Sequence, residues 1–237
     1  MVGGGRRAVA WAVHAYTALG LPLALWATVA LHRGEVRTFF LTLCAAVFVD
    51  ATDGFLARAV RVKEVLPAFD GRRLDDIVDF ITFVFLPAMA IVRFGLFPAG
   101  WEIAAAVPLL ASAYGFCQER AKTDESFVGF PSYWNIGVLY LVALGTDPWT
   151  NLGIITFFAA LVFVPVHYVY PTRTRMLRPV TIALGYVWGA LMVVLSLDVT
   201  APWARTLALG SLFYPAYYFL LSGLHHARVA RDEAPEA

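Results

Sequence analysis

Charge is scarce in this sequence. Asp, Glu, Lys and Arg make up only 15% of its 237 residues while 60% are hydrophobic, which leaves too few polar side chains to cover a soluble domain of this size. The formal net charge of +1 gives no basic surplus with which to hold nucleic acid, so no nucleic-acid partner is expected. Cysteine is nearly absent, and Cys44 and Cys117 both sit in apolar stretches without ligand spacing between them. Packing, rather than a disulfide or a thiolate metal site, is the expected role of both. No Gly/Ser-rich or Pro-rich linker divides the chain, and no internal repeat suggests an inverted-repeat transporter. A single domain over 1–237 is expected, with a polar, disordered tail over about 227–237.

Long apolar runs fill the sequence instead. A helix needs about 20 mostly apolar residues to cross the hydrocarbon core of a bilayer, and eight such runs follow one another at about 8–31, 39–58, 75–96, 101–121, 133–144, 152–170, 179–197 and 203–224. The fifth is the shortest. Arg6 and Arg7 precede the first run as in a signal peptide, but that run is longer than a signal core and has no small-residue cleavage site, so it reads as a spanning helix. With a cytoplasmic N-terminus, eight spans leave only Arg33, Arg37, Arg93 and Arg205 of the 18 basic residues outside. The loops containing Arg58, Arg61, Lys63, Arg72, Arg73, Arg120, Lys122, Arg173, Arg175 and Arg178 then face the cytoplasm, as positively charged loops prefer. The expected fold is all-α, a polytopic membrane helical bundle of about eight transmembrane helices with both termini cytoplasmic.

Four carboxylates stand at the inner ends of the second and third spans. Asp50-Ala51-Thr52-Asp53-Gly54-Phe55-Leu56-Ala57-Arg58 is followed, after twelve residues, by Gly71-Arg72-Arg73-Leu74-Asp75-Asp76-Ile77-Val78-Asp79. Residues three or four apart share a helix face, so Asp50 with Asp53 and Asp75 with Asp79 form two pairs that antiparallel helices bring together. A charged carboxylate at membrane depth costs about 2.5 to 3.5 kcal/mol even on lenient scales. Divalent cations remove that cost and the mutual repulsion, and an all-oxygen site suits Mg2+ or Mn2+ rather than zinc or copper. Gly54, Ala57 and Gly71 lie on the acidic faces and leave room for a flat nucleotide, and Arg58 is placed to pair with a phosphate.

This segment resembles the signature of the CDP-alcohol phosphatidyltransferase family, Asp-x2-Asp-Gly-x2-Ala-Arg-x8-Gly-x3-Asp-x3-Asp. Every named residue type is present, but the spacer, 59–70, has twelve residues where most of the family has eight. A twelve-residue spacer and eight spans both resemble the phosphatidylcholine synthase branch, which joins CDP-diacylglycerol to choline. Gly115-Phe116-Cys117-Gln118 and the stretch from Phe127 to Asn135 are also similar to that branch.

The resemblance implies that Asp50, Asp53 and Asp75 hold metal, Mn2+ or Mg2+ and two ions, while Asp79 contributes to the second ion and acts as general base. It also implies that Asp50, Gly54, Ala57, Arg58 and Gly71 surround the CDP group. Thr17, in the His14-Ala15-Tyr16-Thr17 stretch of the first span, faces the nucleotide in the same reading. Substrates are CDP-diacylglycerol and choline, and CMP is released. Family members are commonly dimers, so a homodimer in a bacterial inner membrane is expected, with the site facing the cytoplasm.

A quaternary ammonium is held by aromatic faces and a carboxylate, which makes Glu119, Tyr133, Trp134 and Tyr186 the acceptor candidates, beside Tyr168, Tyr170 and Tyr218. Serine, glycerol phosphate or inositol phosphate are the alternative acceptors, with Arg173, Arg175 and Arg178 available to a phosphorylated one. An ion transporter with membrane-embedded carboxylates would explain the acids, but not the order of Gly54, Ala57, Arg58 and Gly71.

Overall fold

The computed structural model describes residues 4–119, 121, 123 and 125–232. Arg120, Lys122 and residues 233–237 of the expected tail therefore lie outside the described residues. In chain order the elements are α1 (Gly4–Ala18), α2 (Gly20–Arg33), α3 (Val36–Val60), the single turn α4 (Val62–Val65), α5 (Gly71–Asp79), a π-helical stretch (Phe80–Phe85) and α6 (Leu86–Arg93). A 3-10 turn (Glu102–Ala105), α7 (Ala106–Cys117), β1 (Ser126–Val128), α8 (Trp134–Leu144), α9 (Pro148–Val162) and β2 (His167–Val169) follow. Then come α10 (Arg178–Leu197), α11 (Ala204–Ser211) and α12 (Phe213–Asp232).

Prolines decide where these helices are interrupted. A proline nitrogen cannot donate to the carbonyl four residues earlier, and its ring crowds that turn. Pro22 falls four residues after Ala18, where α1 ends, and Pro215 four after Ser211, where α11 ends. Pro87 and Pro108 likewise follow the π-helical stretch and the 3-10 turn, in which the backbone adopts other hydrogen-bond spacings. Two starts are fixed by side chains. Asp70 accepts a hydrogen bond from the amide of Arg73 at 3.1 Å and opens α5, while Asp147 accepts from the amides of Trp149 and Thr150 and opens α9, with Pro148 at its first position.

Four helical stretches among the described residues are long and apolar enough to cross a membrane: Gly4–Arg33, Val36–Val60, Arg178–Leu197 and Ala204–Asp232. The 25 residues of α3 extend about 37 Å at 1.5 Å each, more than the hydrocarbon thickness. The chain is thus a helical membrane protein. The α5–α6 stretch runs without a break from Gly71 to Arg93, and α7, α8 and α9 are shorter apolar helices. Their shared core contains Phe39, Phe40, Leu86, Ile91, Val138, Ile155 and Leu195.

Two expectations about boundaries are corrected. Helix α12 continues to Asp232, so 227–232 is helical rather than part of a disordered tail. The sixth apolar run, expected as helix over 152–170, ends at Val162, and 167–169 forms a strand. Pro165 explains the stop, because it cannot bond the carbonyl of Leu161. The amide of Phe130 takes that carbonyl instead, at 3.1 Å. Beyond it, β2 pairs antiparallel with β1 in the register Ser126↔Val169, Phe127↔Tyr168 and Val128↔His167, and Ser126 Oγ lies 3.0 Å from His167 Nδ1.

Gly129 makes that junction possible. It has φ of +83°, and a Cβ there would run into the backbone carbonyl oxygen of Val162. A positive φ alone costs a residue with a side chain about 1 to 3 kcal/mol. Gly129→Ala is therefore expected to lower the thermal unfolding midpoint of the purified protein, and an unchanged midpoint would show that this junction contributes little to stability.

Candidate functional site

The site begins where α3 and α5 run beside α1. Oxygens of Asp50, Asp75 and Asp79 all lie within 4.8 Å of one another, each residue being half-buried. An all-carboxylate set of this kind fits a hard divalent cation by its donor chemistry, and helix spacing provides it from two elements. Asp50 belongs to α3, while Asp75 and Asp79 are one turn apart on α5. Asp53, expected as a fourth convergent ligand, is buried at 6% exposure. It lines the adjoining cavity rather than the three-oxygen cluster.

The cavity measures about 1230 Å³. Thr17, Asp53, Gly54, Ala57, Arg58, Gly71 and Asp75 all border it, so of the residues expected around a CDP group Thr17, Gly54, Ala57, Arg58 and Gly71 share one space, while Asp50 is not among those that border it. Small side chains keep it open. A Cβ on Gly54 would lie 3.2 Å from Arg58 Nη1, which places the guanidinium back along the helix over that glycine. A Cβ on Gly71 would lie 2.5 Å from His14 Cε1. Tyr16 does not border the cavity; its hydroxyl lies 2.8 Å from Thr52 Oγ1 and ties α1 to α3.

The far wall contains two residues named among the acceptor candidates, Tyr170 and Arg173, and one that was not, Thr123. Thr123, Tyr170 and Arg173 border the cavity from the two loops that β1 and β2 join. Tyr170 stacks on Phe127 at 4.5 Å, and the Arg173 guanidinium lies 4.7 Å from the Tyr170 ring centre. Of the three arginines considered for a phosphorylated acceptor, Arg173 alone borders the cavity. Arg175 pairs with Glu125 at 3.2 Å, and Arg178 starts α10.

The acceptor candidates separate. The Tyr133 ring lies 6.4 Å from Phe83 and 6.3 Å from Tyr218, and its phenol is within electrostatic reach of Asp50 and Asp79. Trp134 is 2% exposed, and its indole donates to Ser112 Oγ at 2.7 Å, as a core residue does. Tyr186 is 78% exposed on α10, and Glu119 is exposed just past α7. Tyr168 stacks on Tyr218, and burial raises its phenol above the ordinary value, keeping it neutral. Sequence position near a helix end does not say which way an aromatic ring turns, and that is why Tyr133 and Trp134, one residue apart, differ.

Helical membrane architecture and a carboxylate cluster beside a cavity of about 1230 Å³ define a class of membrane protein with an acidic site able to hold a divalent cation. No family model matches the sequence, but individual relatives do. The chain is 40% identical over 228 residues to phosphatidylcholine synthase of Pseudomonas aeruginosa, covering 95% of this chain and 94% of that protein. It is 38% identical over 206 residues to phosphatidylcholine synthase of Bradyrhizobium diazoefficiens, covering 86% and 77%. With phosphatidylcholine synthase of Borreliella burgdorferi it shares 32% identity over 188 residues, covering 78% and 80%. The chain belongs to the phosphatidylcholine synthase family.

Proposed function

We propose that this protein transfers the phosphatidyl group of CDP-diacylglycerol to choline and releases CMP. The observation that carries the reading is the meeting of Asp50, Asp75 and Asp79 oxygens at the edge of a cavity bordered by Gly54, Ala57, Arg58 and Gly71. The relatives' names supply choline as acceptor.

The reaction forms a bond between the choline oxygen and the phosphatidyl phosphorus and breaks the bond from that phosphorus to the CMP oxygen. Asp79 accepts the choline hydroxyl proton as the oxygen attacks, and CMP leaves with the bonding electron pair. Arg58, held over Gly54, pairs with a phosphate oxygen of the donor by a charge-assisted hydrogen bond. Asp50, Asp53, Asp75 and Asp79 are the proposed ligands of divalent metal, Mg2+ or Mn2+ and two ions. When bound, metal supplies positive charge that shields the diphosphate and stabilises the leaving phosphate. Of the acceptor candidates, Tyr170 borders the cavity and Tyr133 packs against Phe83 and Tyr218, and these two are the proposed ring faces for the choline cation.

Eight membrane crossings, both termini cytoplasmic and a cytoplasm-facing site in a bacterial inner membrane belong to the same proposal, as does a homodimer. The distribution of basic loops supports the orientation. The test is an assay of purified protein with CDP-diacylglycerol and labelled choline, serine, inositol phosphate or glycerol phosphate in parallel. Choline-dependent release of CMP with formation of phosphatidylcholine is expected, and preference for another acceptor would overturn the assignment of choline.

A further inference from the structure

Tyr170 has two ring faces, and both are taken. Phe127 stacks on the ring at 4.5 Å, centre to centre, and the Arg173 guanidinium lies over it, 4.7 Å from the ring centre. Two groups at that height cannot share one side of a single ring without overlapping, so the guanidinium covers the face that Phe127 leaves. A choline cation held by Tyr170 needs the same face, because a positive group is attracted to the negative surface of a ring and not to its edge. Two cations also repel each other at contact distance. Arg173 thus stands where the charged end of the acceptor is proposed to sit.

The backbone around this pair is fixed, while the arginine side chain is not. The carbonyl of Tyr170 accepts hydrogen bonds from the amides of Arg173 and Thr174, each at 2.9 Å. The Tyr170 amide donates to Thr174 Oγ1 at 2.7 Å, and that hydroxyl donates in turn to the carbonyl of Glu125 at 2.5 Å. Thr174 is 1% exposed, so the turn over 170–174 does not shift without breaking buried hydrogen bonds. Arg173 itself is exposed and borders the cavity, and its long side chain changes partner by rotating about its own bonds. A cation–π contact at an exposed site is weaker than charge-assisted hydrogen bonds from a guanidinium to phosphate. A diphosphate in this cavity therefore competes successfully with the ring for Arg173.

We infer that Arg173 gates the acceptor site: its guanidinium covers the Tyr170 ring face until the diphosphate of the donor draws it away, so that choline binds well only beside the donor. The inference rests on the proposed reaction and on the proposed contact of Tyr170 with choline, and adds to them a coupling between the two substrates. Coupling of this kind is reciprocal, so choline strengthens donor binding by the same factor.

The experiment measures equilibrium binding of labelled choline to folded, purified protein in saturating Mg2+, with and without saturating CDP, which supplies the diphosphate but has no phosphatidyl group to transfer. In wild type, CDP is expected to raise choline affinity about fivefold, at the lower end of ordinary coupling. Arg173→Leu removes the competing cation. Its choline affinity without CDP should already match that of wild type with CDP, and most of the CDP effect should vanish. A CDP effect that persists undiminished in Arg173→Leu would be direct attraction between the charged ligands and would overturn the gate, as would unchanged choline affinity in that variant without CDP. Should Arg173→Leu fail to fold, Arg173→Gln, which loses the charge and stays polar, decides by the same criteria. Tyr170→Leu should weaken choline binding in the presence of CDP, and wild-type affinity there would overturn the inference by removing its ring face. Choline-dependent formation of phosphatidylcholine is read separately: its absence in wild type sinks the proposed function, whereas its presence with an undiminished CDP effect in Arg173→Leu sinks the gate alone.

Discussion

Asp79→Asn is expected to lower turnover with choline by about 10² to 10⁴-fold, the range a positioned general base contributes, while CMP affinity stays close to wild type. The substitution keeps the size of the side chain and an oxygen that can accept hydrogen bonds, but an amide does not take up a proton at neutral pH. Asp79 shares a cluster with Asp50 and Asp75, so the assay is run at saturating Mn2+ or Mg2+ to separate the base from any loss of metal affinity. Rates are measured under saturating choline and donor, with CMP binding followed separately. Near-normal turnover would remove Asp79 from the base role; equal collapse of turnover and CMP binding would assign it to ligand holding alone.

Stripping divalent cations with a chelator is expected to reduce phosphatidylcholine formation to background, and added Mg2+ or Mn2+ should restore it. The physical ground is the crowding of negative charge. Three carboxylates whose oxygens come within 4.8 Å of one another strongly disfavour the approach of a diphosphate unless positive charge intervenes. Calcium ligation chemistry overlaps with that of magnesium, but Mg2+ demands a tighter octahedral arrangement, so restoration is measured with each ion in turn. Full activity in chelator, with metal content verified by elemental analysis, would overturn the metal assignment.

The acidic half of the site was legible in the sequence because helix periodicity turns spacing directly into position. Asp75 and Asp79 four apart, and Asp50 with Gly54 four apart, need only the helices to form. Gly71 was legible as a small residue on the right face, although its close partner, His14, comes from 57 positions earlier in the chain by the numbering. Asp53 is less directly read: it borders the cavity, next to the three acids whose oxygens converge, so its proposed part in holding metal rests on its spacing from Asp50.

What escaped was built by long-range pairing. Apolar content suggested helix up to residue 170, and only the combination of Pro165 with the amide of Phe130 shows why the chain leaves the helix and forms β2. Tyr170 and Arg173 stood out in the sequence as an aromatic and a basic residue, but their place with Thr123 on the cavity wall lies beside the strand pairing, which no local pattern reveals. Trp134 illustrates a related difficulty. An aromatic residue at a helix start near the membrane surface has the composition of a binding residue, while its hydrogen bond to Ser112 fixes it in the interior.

The pairing of β1 with β2 has one consequence for how the family can vary. Two connections that are distant in sequence share one mechanical element, so neither can be lengthened, shortened or shifted in register independently of the other. A change of register in the first connection, well away from Tyr170 in sequence, is transmitted through the strand pair to Tyr170 and Arg173.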